Sequence, residues 1–150
     1  MQLTERVKNC NGCEACVVGC KYVCVKMEAD ANGIKYPVVN EDGCSKCNSC
    51  LLYCPQFNPV SLPEFEQYYE YQDEYGQRNM AAVYRAVKRK VKAGEVTPFV
   101  GTLCQIAALK SLMGDRLSDR LQIYPLHCDP EKPKRPECVS CQYYADAESM

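Results

Sequence analysis

The order of apolar and polar positions changes character about halfway along the chain. From residue 79 to 93, Met80, Val83, Val87 and Val91 recur at the i, i+3, i+7, i+11 spacing of one helical face, and Gly94 closes the run. The pattern then predicts a strand over Val96 to Val100, a turn at Gly101-Thr102, and a helix over Leu103 to Met113 ended by Gly114. A second strand follows over Leu121 to Leu126, which completes a βαβ unit. The other faces of the first helix carry Arg85, Lys88, Arg89, Lys90 and Lys92, read as a solvated surface, with attraction of an acidic partner as the alternative.

The first half lacks such long periods. Ala31-Asn32-Gly33 and Glu41-Asp42-Gly43 are turn signals on either side of Ile34 to Val39, a short β-compatible stretch, which predicts hairpins and loops. Pro59, Pro63 and the acidic, tyrosine-rich run from Glu64 to Tyr75, followed by Gly76, mark a linker. Within it Phe65, Tyr68, Tyr69 and Tyr75 fall on one side of a predicted short helix, with Ser61 as N-cap and Pro63 in the first turn. The chain thus divides into residues 1–60, a linker over 61–78, and an α/β (βαβ) fragment over 79–150, an α+β class overall.

Composition narrows the choice of chemistry. The 18 Lys and Arg nearly balance the 19 Asp and Glu, for a formal net charge of -1, which argues against nucleic acid as partner. No window offers the ~20 consecutive apolar residues of a bilayer span; Lys21, Lys26 and Glu28 interrupt the most apolar early stretch. Cysteine is the outlier, at 13 of 150 residues, the level at which a disulfide scaffold or a metal protein is expected. Met1 to Lys8 carries charges of both signs and no signal-peptide core, which points to the cytoplasm, where disulfides are rare. The odd count also leaves one thiol out of any complete pairing, so metal ligation by thiolates is the better account.

The spacing says which metal. Cys44, Cys47, Cys50 and Cys54, followed by Pro55, form C-x2-C-x2-C-x3-C-P, the bacterial ferredoxin run for cubane clusters. Cys10, Cys13, Cys16 and Cys20 repeat the spacing, with Lys21 in place of the proline. Each run takes its fourth thiolate from the other, so Cys10, Cys13, Cys16 and Cys54 are expected to hold one [4Fe-4S] cluster and Cys44, Cys47, Cys50 and Cys20 the second. Zinc ribbons use two separated C-x2-C pairs, and three cysteines at consecutive x2 spacings, twice, overshoot a tetrahedral site. Cys24 is left over and reads as a structural thiol, with replacement of Cys20 as remote ligand the alternative. The domain has few apolar residues, so the clusters are expected to supply much of its folding free energy.

Cys104 falls in the first turn of the βαβ helix, Cys128 just beyond the second strand, and Cys138 and Cys141 form a C-x2-C pair. Ligands of open α/β sheets gather beyond the carboxyl ends of parallel strands, so these four thiols are candidates for a third [4Fe-4S] cluster, with an all-cysteine zinc site as the rival. His127, the only histidine, is read as packing and not as a ligand.

Gly101-Thr102-Leu103-Cys104-Gln105, the strand ending His127-Cys128, and Arg135-Pro136-Glu137-Cys138-Val139-Ser140-Cys141 resemble the beta subunits of deazaflavin-coenzyme (F-420) hydrogenases and dehydrogenases. Asn32-Gly33-Ile34-Lys35-Tyr36-Pro37 resembles that family's segment between the cysteine runs, so the likeness spans most of residues 10 to 145. It implies a cluster on the late cysteines, beside a flavin. Leu103 departs from the family's usual G-T-P-C-Q, and the Ser/Gly-rich flavin-contacting stretch is missing. After Tyr75 the chain passes almost directly to Val83-Tyr84-Arg85-Ala86-Val87-Lys88, which resembles the helix before that strand, so a complete FAD site is not expected.

The expected function is therefore electron transfer: a carrier or electron-entry module between a redox protein and a partner oxidoreductase subunit, with no catalytic residue assigned. The alternatives are a reduced FAD-dependent oxidoreductase of the resembled family, and a structural or regulatory protein holding zinc at the late cysteines.

Overall fold

The structure, a computed structural model, describes residues 10, 12–45, 47, 49–62, 65–70, 78–114 and 120–127. Their elements, in chain order, are α1 (Ala15–Gly19), β1 (Val25–Ala29), β2 (Lys35–Val39), α2 (Ser49–Leu52), β3 (Tyr69–Glu70), α3 (Met80–Lys92), β4 (Thr97–Thr102), α4 (Leu103–Met113) and β5 (Leu121–His127). The class is α+β, with one antiparallel pair and one three-stranded parallel sheet.

The expected hairpin forms between β1 and β2, with Val25 opposite Val39 and Ala29 opposite Lys35. Asp30 closes it: its Oδ1 accepts the N–H groups of Asn32 at 2.9 Å and Ile34 at 3.0 Å. Gly33, at φ 80, supplies the left-handed residue that this turn requires. Asn40 donates back to the carbonyl of Cys24 at 2.7 Å, so the strand exit is tied to the strand entry. The first strand was the less visible of the two, since Val25, Met27 and Ala29 alternate with Lys26 and Glu28 over only five residues.

In the second half the predicted βαβ unit is present: β4 and β5 pair in parallel, Thr97 beside Leu121 through Thr102 beside Leu126. Two boundaries move. Val96 is 64% exposed and precedes the strand, whereas Gly101 and Thr102 continue it, so the expected turn is the last of β4. Gly101 is required there by space, because a Cβ would lie 2.8 Å from Gln105 Oε1 and 2.9 Å from the Phe99 ring. Thr102 then caps α4 in a reciprocal box with Gln105, whose Oε1 accepts the Thr102 N–H at 3.0 Å.

Asn79 caps α3 by accepting the Ala82 N–H at 3.2 Å, and Gly94, at φ 90, follows its end. Its buried stripe is Met80, Tyr84, Val87 and Val91, with Ala81 beside it; Tyr84 takes the central place that the sequence reading gave to Val83. Arg85, Arg89, Lys90 and Lys92 are exposed, and Arg89, Lys90 and Lys92 in the last turn complement the helix dipole. The next helix, α4, is apolar all round, and Ile106, Ala107, Ala108 and Leu109 have no exposed surface. A helix of that kind must sit at the centre of a core.

The linker carries the clearest departure. Tyr69–Glu70 is a strand, parallel to β5, where a helix was expected, and the sheet order is β3-β5-β4. Cross-strand ring contacts fix it: Tyr69 meets Tyr124 at 5.8 Å between centroids, and Tyr68 meets His127 at 6.5 Å, both edge-on. Pro63 and Tyr75 lie outside the described residues. Among the described residues no helix is long and apolar enough to cross a membrane.

One apolar core joins the early and late parts of the chain. Cys13 and Ala15 of the first cysteine run pack with Met80, Tyr84, Phe99, Leu103 and Ile106. Ser111 Oγ donates to the Tyr53 carbonyl at 2.9 Å, and Lys110 donates to the Ser61 carbonyl, so α4 is also fastened to the end of the second run. A smaller cluster, Val25, Val39 and Leu51 with Cys16 and Cys24, lies under the hairpin.

Candidate metal centres

Each cysteine run folds as a loop running into a short helix. In the first, Glu14 adopts the left-handed conformation, φ 68, which turns the chain between Cys13 and Cys16 and starts α1. Its carbonyl accepts the Val17 N–H at 3.2 Å, and Cys20 N–H closes the helix on the Cys16 carbonyl at 3.2 Å. In the second, the turn at 41–43 leads through Cys44 and Cys47 to α2, and Cys54 leaves that helix with its N–H on the Leu51 carbonyl at 3.1 Å. The two short helices pack closely: a Cβ on Gly19 would fall 2.4 Å from the ring of Tyr53, so only glycine fits at this crossing.

Thiols of the two runs stand close enough to influence one another. Burial pushes Cys13 well above the ordinary thiol range, and the neighbouring Cys104, Cys54 and Cys16 add to the rise. Burial does the same to Cys16, with Cys10, Cys54 and Cys50 adding to it. Cys54, from the second run, is therefore within electrostatic reach of Cys13 and Cys16, and Cys10 within reach of Cys16. Cys13 and Cys16 are each 7% exposed, and Cys10 and Cys54 are half-buried.

A second group of thiols surrounds a small pocket that opens to solvent. Cys20, Cys24, Cys44, Cys47 and Cys50 line it, together with Tyr22, Val25, Val39, Ser45 and Ser49. Here Cys20 of the first run stands among the thiols of the second. Burial works to raise Cys20, but hydrogen bonds from the backbone of Cys24, Tyr22 and Val23 and from the Cys24 side chain outweigh it and lower its pKa. Cys24 answers in the opposite sense, raised to about 11 by desolvation, by its hydrogen bond to Cys20 and by the charges of Cys20, Cys44 and Cys47. Cys24 was expected as a structural thiol; it is buried as such a thiol would be, yet it also faces this pocket.

Cys47 is exposed, and hydrogen bonds from the Ser49 side chain, at 3.2 Å, the Ser49 backbone and Ser45 lower it to about 7. Those hydrogen bonds favour the thiolate at Cys47, whereas burial favours the protonated thiol at Cys13, Cys16 and Cys24.

A donor set of thiols without a carboxylate or imidazole suits a soft thiophilic centre and not magnesium or calcium. Among the described residues, no three or more His, Cys, Asp or Glu side chains converge tightly enough to hold a single metal ion. A cubane makes a different demand, since each of its four thiolates binds a different iron and the sulfurs stand apart around the core. The thiols that line the open pocket have the chemistry such a group takes.

Cys104 is 4% exposed at the start of α4, with Thr102 Oγ1 at 3.0 Å from its sulfur, and it neighbours Cys13. Cys128, Cys138 and Cys141, its expected companions, lie outside the described residues. His127 ends β5 and meets the Tyr68 ring.

Two residues that the cysteine pattern did not announce hold the first loop. Tyr84, with no exposed surface, donates its hydroxyl to the Cys13 carbonyl at 2.6 Å. Glu14 Oε2 accepts the Met80 N–H at 3.0 Å, an acidic group on the positive end of α3. A tyrosine inside an otherwise aliphatic helical face was the one available signal, because a buried phenol needs a partner.

Among characterised proteins, the chain is similar to the ketoisovalerate oxidoreductase subunit VorC of Methanothermobacter marburgensis, 27% identical over 55 residues that cover 35% of this chain and 70% of VorC. No family model matches the chain, and no solved structure matches it. The likeness to an oxidoreductase subunit is thus local, and confined to about a third of the sequence.

Proposed function

We propose that this protein is an iron-sulfur electron-transfer component of an oxidoreductase, with one [4Fe-4S] cluster on Cys10, Cys13, Cys16 and Cys54 and a second on Cys44, Cys47, Cys50 and Cys20. What supports this reading is that Cys54 acts electrostatically on Cys13 and Cys16, and that Cys20 lines a pocket with Cys44, Cys47 and Cys50. Such a cluster, when bound, takes up or gives back one electron without making or breaking a bond to substrate. The chain's own part is to hold the thiolates, shield those near Cys13 and Cys16 from water, and leave those near Cys47 accessible. The local similarity to an oxidoreductase subunit supports a role as one member of a larger assembly, with a redox protein as partner.

Cys104, with Cys128, Cys138 and Cys141, is proposed to hold a third cluster, and zinc is the competing occupant. The resemblance to the beta subunits of deazaflavin-coenzyme enzymes supports the cluster. Iron, acid-labile sulfide, zinc and flavin, measured on protein purified without air, test all of this together. About twelve irons with no flavin is the expected result. About eight irons with one zinc assigns the late cysteines to zinc, bound FAD with turnover favours the flavoenzyme reading, and absence of sulfide removes electron transfer altogether.

A further inference from the structure

The two thiol groups differ in what covers them. Around Cys47 the pocket is open: Cys47 itself is exposed, and Tyr22, which lines the pocket, is 57% exposed. Around Cys13 the surface is closed by the late half of the chain. Tyr84 of α3 and Leu103, Cys104 and Ile106 of α4 pack in one core with Cys13, and the Tyr84 hydroxyl is bound to the Cys13 carbonyl. Glu14, next in sequence, is bound to the first N–H of α3. The groups also adjoin, since Cys50 of the open group is near Cys16 of the closed one.

Resting on the electron-transfer reading, we propose that the sites are ordered: the Cys44, Cys47, Cys50 and Cys20 site is the outer one, open to exchange with a redox protein. The Cys10, Cys13, Cys16 and Cys54 site is the inner one, packed against the late half of the chain and positioned by Tyr84. One electron lost by a redox protein is gained first at the Cys47 side and then at the Cys13 side, so the donor is oxidised by one electron, the chain is reduced by one, and no proton or bond changes. Tyr84 is a positioning residue, because it acts on the inner site only through the Cys13 backbone.

The order is tested on the full chain, purified anaerobically with its iron and sulfide. Bathophenanthroline disulfonate, a bulky charged chelator, is expected to remove iron in two phases, the faster several-fold quicker than the slower and lost in Cys47→Ser. Tyr84→Phe removes one hydroxyl and keeps the ring in place. It is expected to shift the paramagnetic resonance signal and reduction potential of the cluster that survives in Cys47→Ser, and to leave the other unchanged. A single phase, a fast phase that survives Cys47→Ser, or a Tyr84→Phe effect that is absent or falls on both clusters would overturn the order alone. Protein without sulfide would overturn the electron-transfer reading, and the order with it.

Discussion

Cys54→Ala is expected to cost the protein the cluster of the first run, about half of the iron held by the two N-terminal sites. The substituted residue lies 38 positions beyond Cys16 in sequence, so the result separates spatial from sequential assignment. Cys54 leaves α2 with its thiol largely buried and raised by that burial, and it adds to the rise in both Cys13 and Cys16. Cys50, four residues earlier, adds to the rise in Cys16 as well but itself feels Cys20 and Cys44. Iron and sulfide per chain, with the resonance spectrum of the reduced protein, provide the measurement. Retention of the Cys44, Cys47 and Cys50 signal beside loss of the other is the expected pattern; the reverse would mean that each run binds its own cluster. Cys20→Ala is the less discriminating experiment, because Cys24 already faces the same pocket and offers another thiol.

How the two runs sit against each other is a matter of packing that spacing alone expresses only in part. The C-x2-C-x2-C-x3-C pattern was legible because cluster ligation demands residue type at fixed intervals, and the βαβ unit because its apolar periods are long. The strand at Tyr69–Glu70 was not legible: two residues carry no period, and their conformation is set by the neighbouring β5 and the ring of Tyr124. Acidic, tyrosine-rich sequence with Ser and Pro ahead of it satisfied local helix rules, and a tertiary edge took precedence over them. Gly101 and Thr102 show the same limit from the other side. Gly-Thr reads as a turn in isolation, but here the glycine is needed where β4 passes Gln105 and Phe99, and the threonine serves as last strand residue and helix cap at once. The role of Tyr84 depended on a contact 71 residues away, which no local pattern encodes.

Removal of iron should unfold the hairpin region while leaving the late core standing. The cluster beneath β1, β2 and α2 contains only Val25, Val39 and Leu51 besides its cysteines. A fully buried aliphatic side chain contributes about 1.5–3 kcal/mol, whereas each residue ordered costs about 1–2 kcal/mol of backbone entropy. Three such side chains, with half-buried Val17 beside them, fall well short of offsetting a hairpin and a helix, and the proposed clusters would supply the difference. Met80, Tyr84, Phe99, Ile106 and Leu109 are by contrast all within 2% of complete burial, around a helix with apolar residues on every side. After anaerobic chelation, hydrogen exchange is expected to show the amides of Val25–Ala29 and Lys35–Val39 losing protection by orders of magnitude, with those of Leu103–Met113 retaining most of theirs. Loss throughout would mean that the first loop, through Tyr84 and Glu14, is needed to hold α3 in place. Protection kept in both regions would mean that the apolar contacts suffice without iron, and the dependence of this part of the fold on its thiolate-bound metal would have to be abandoned.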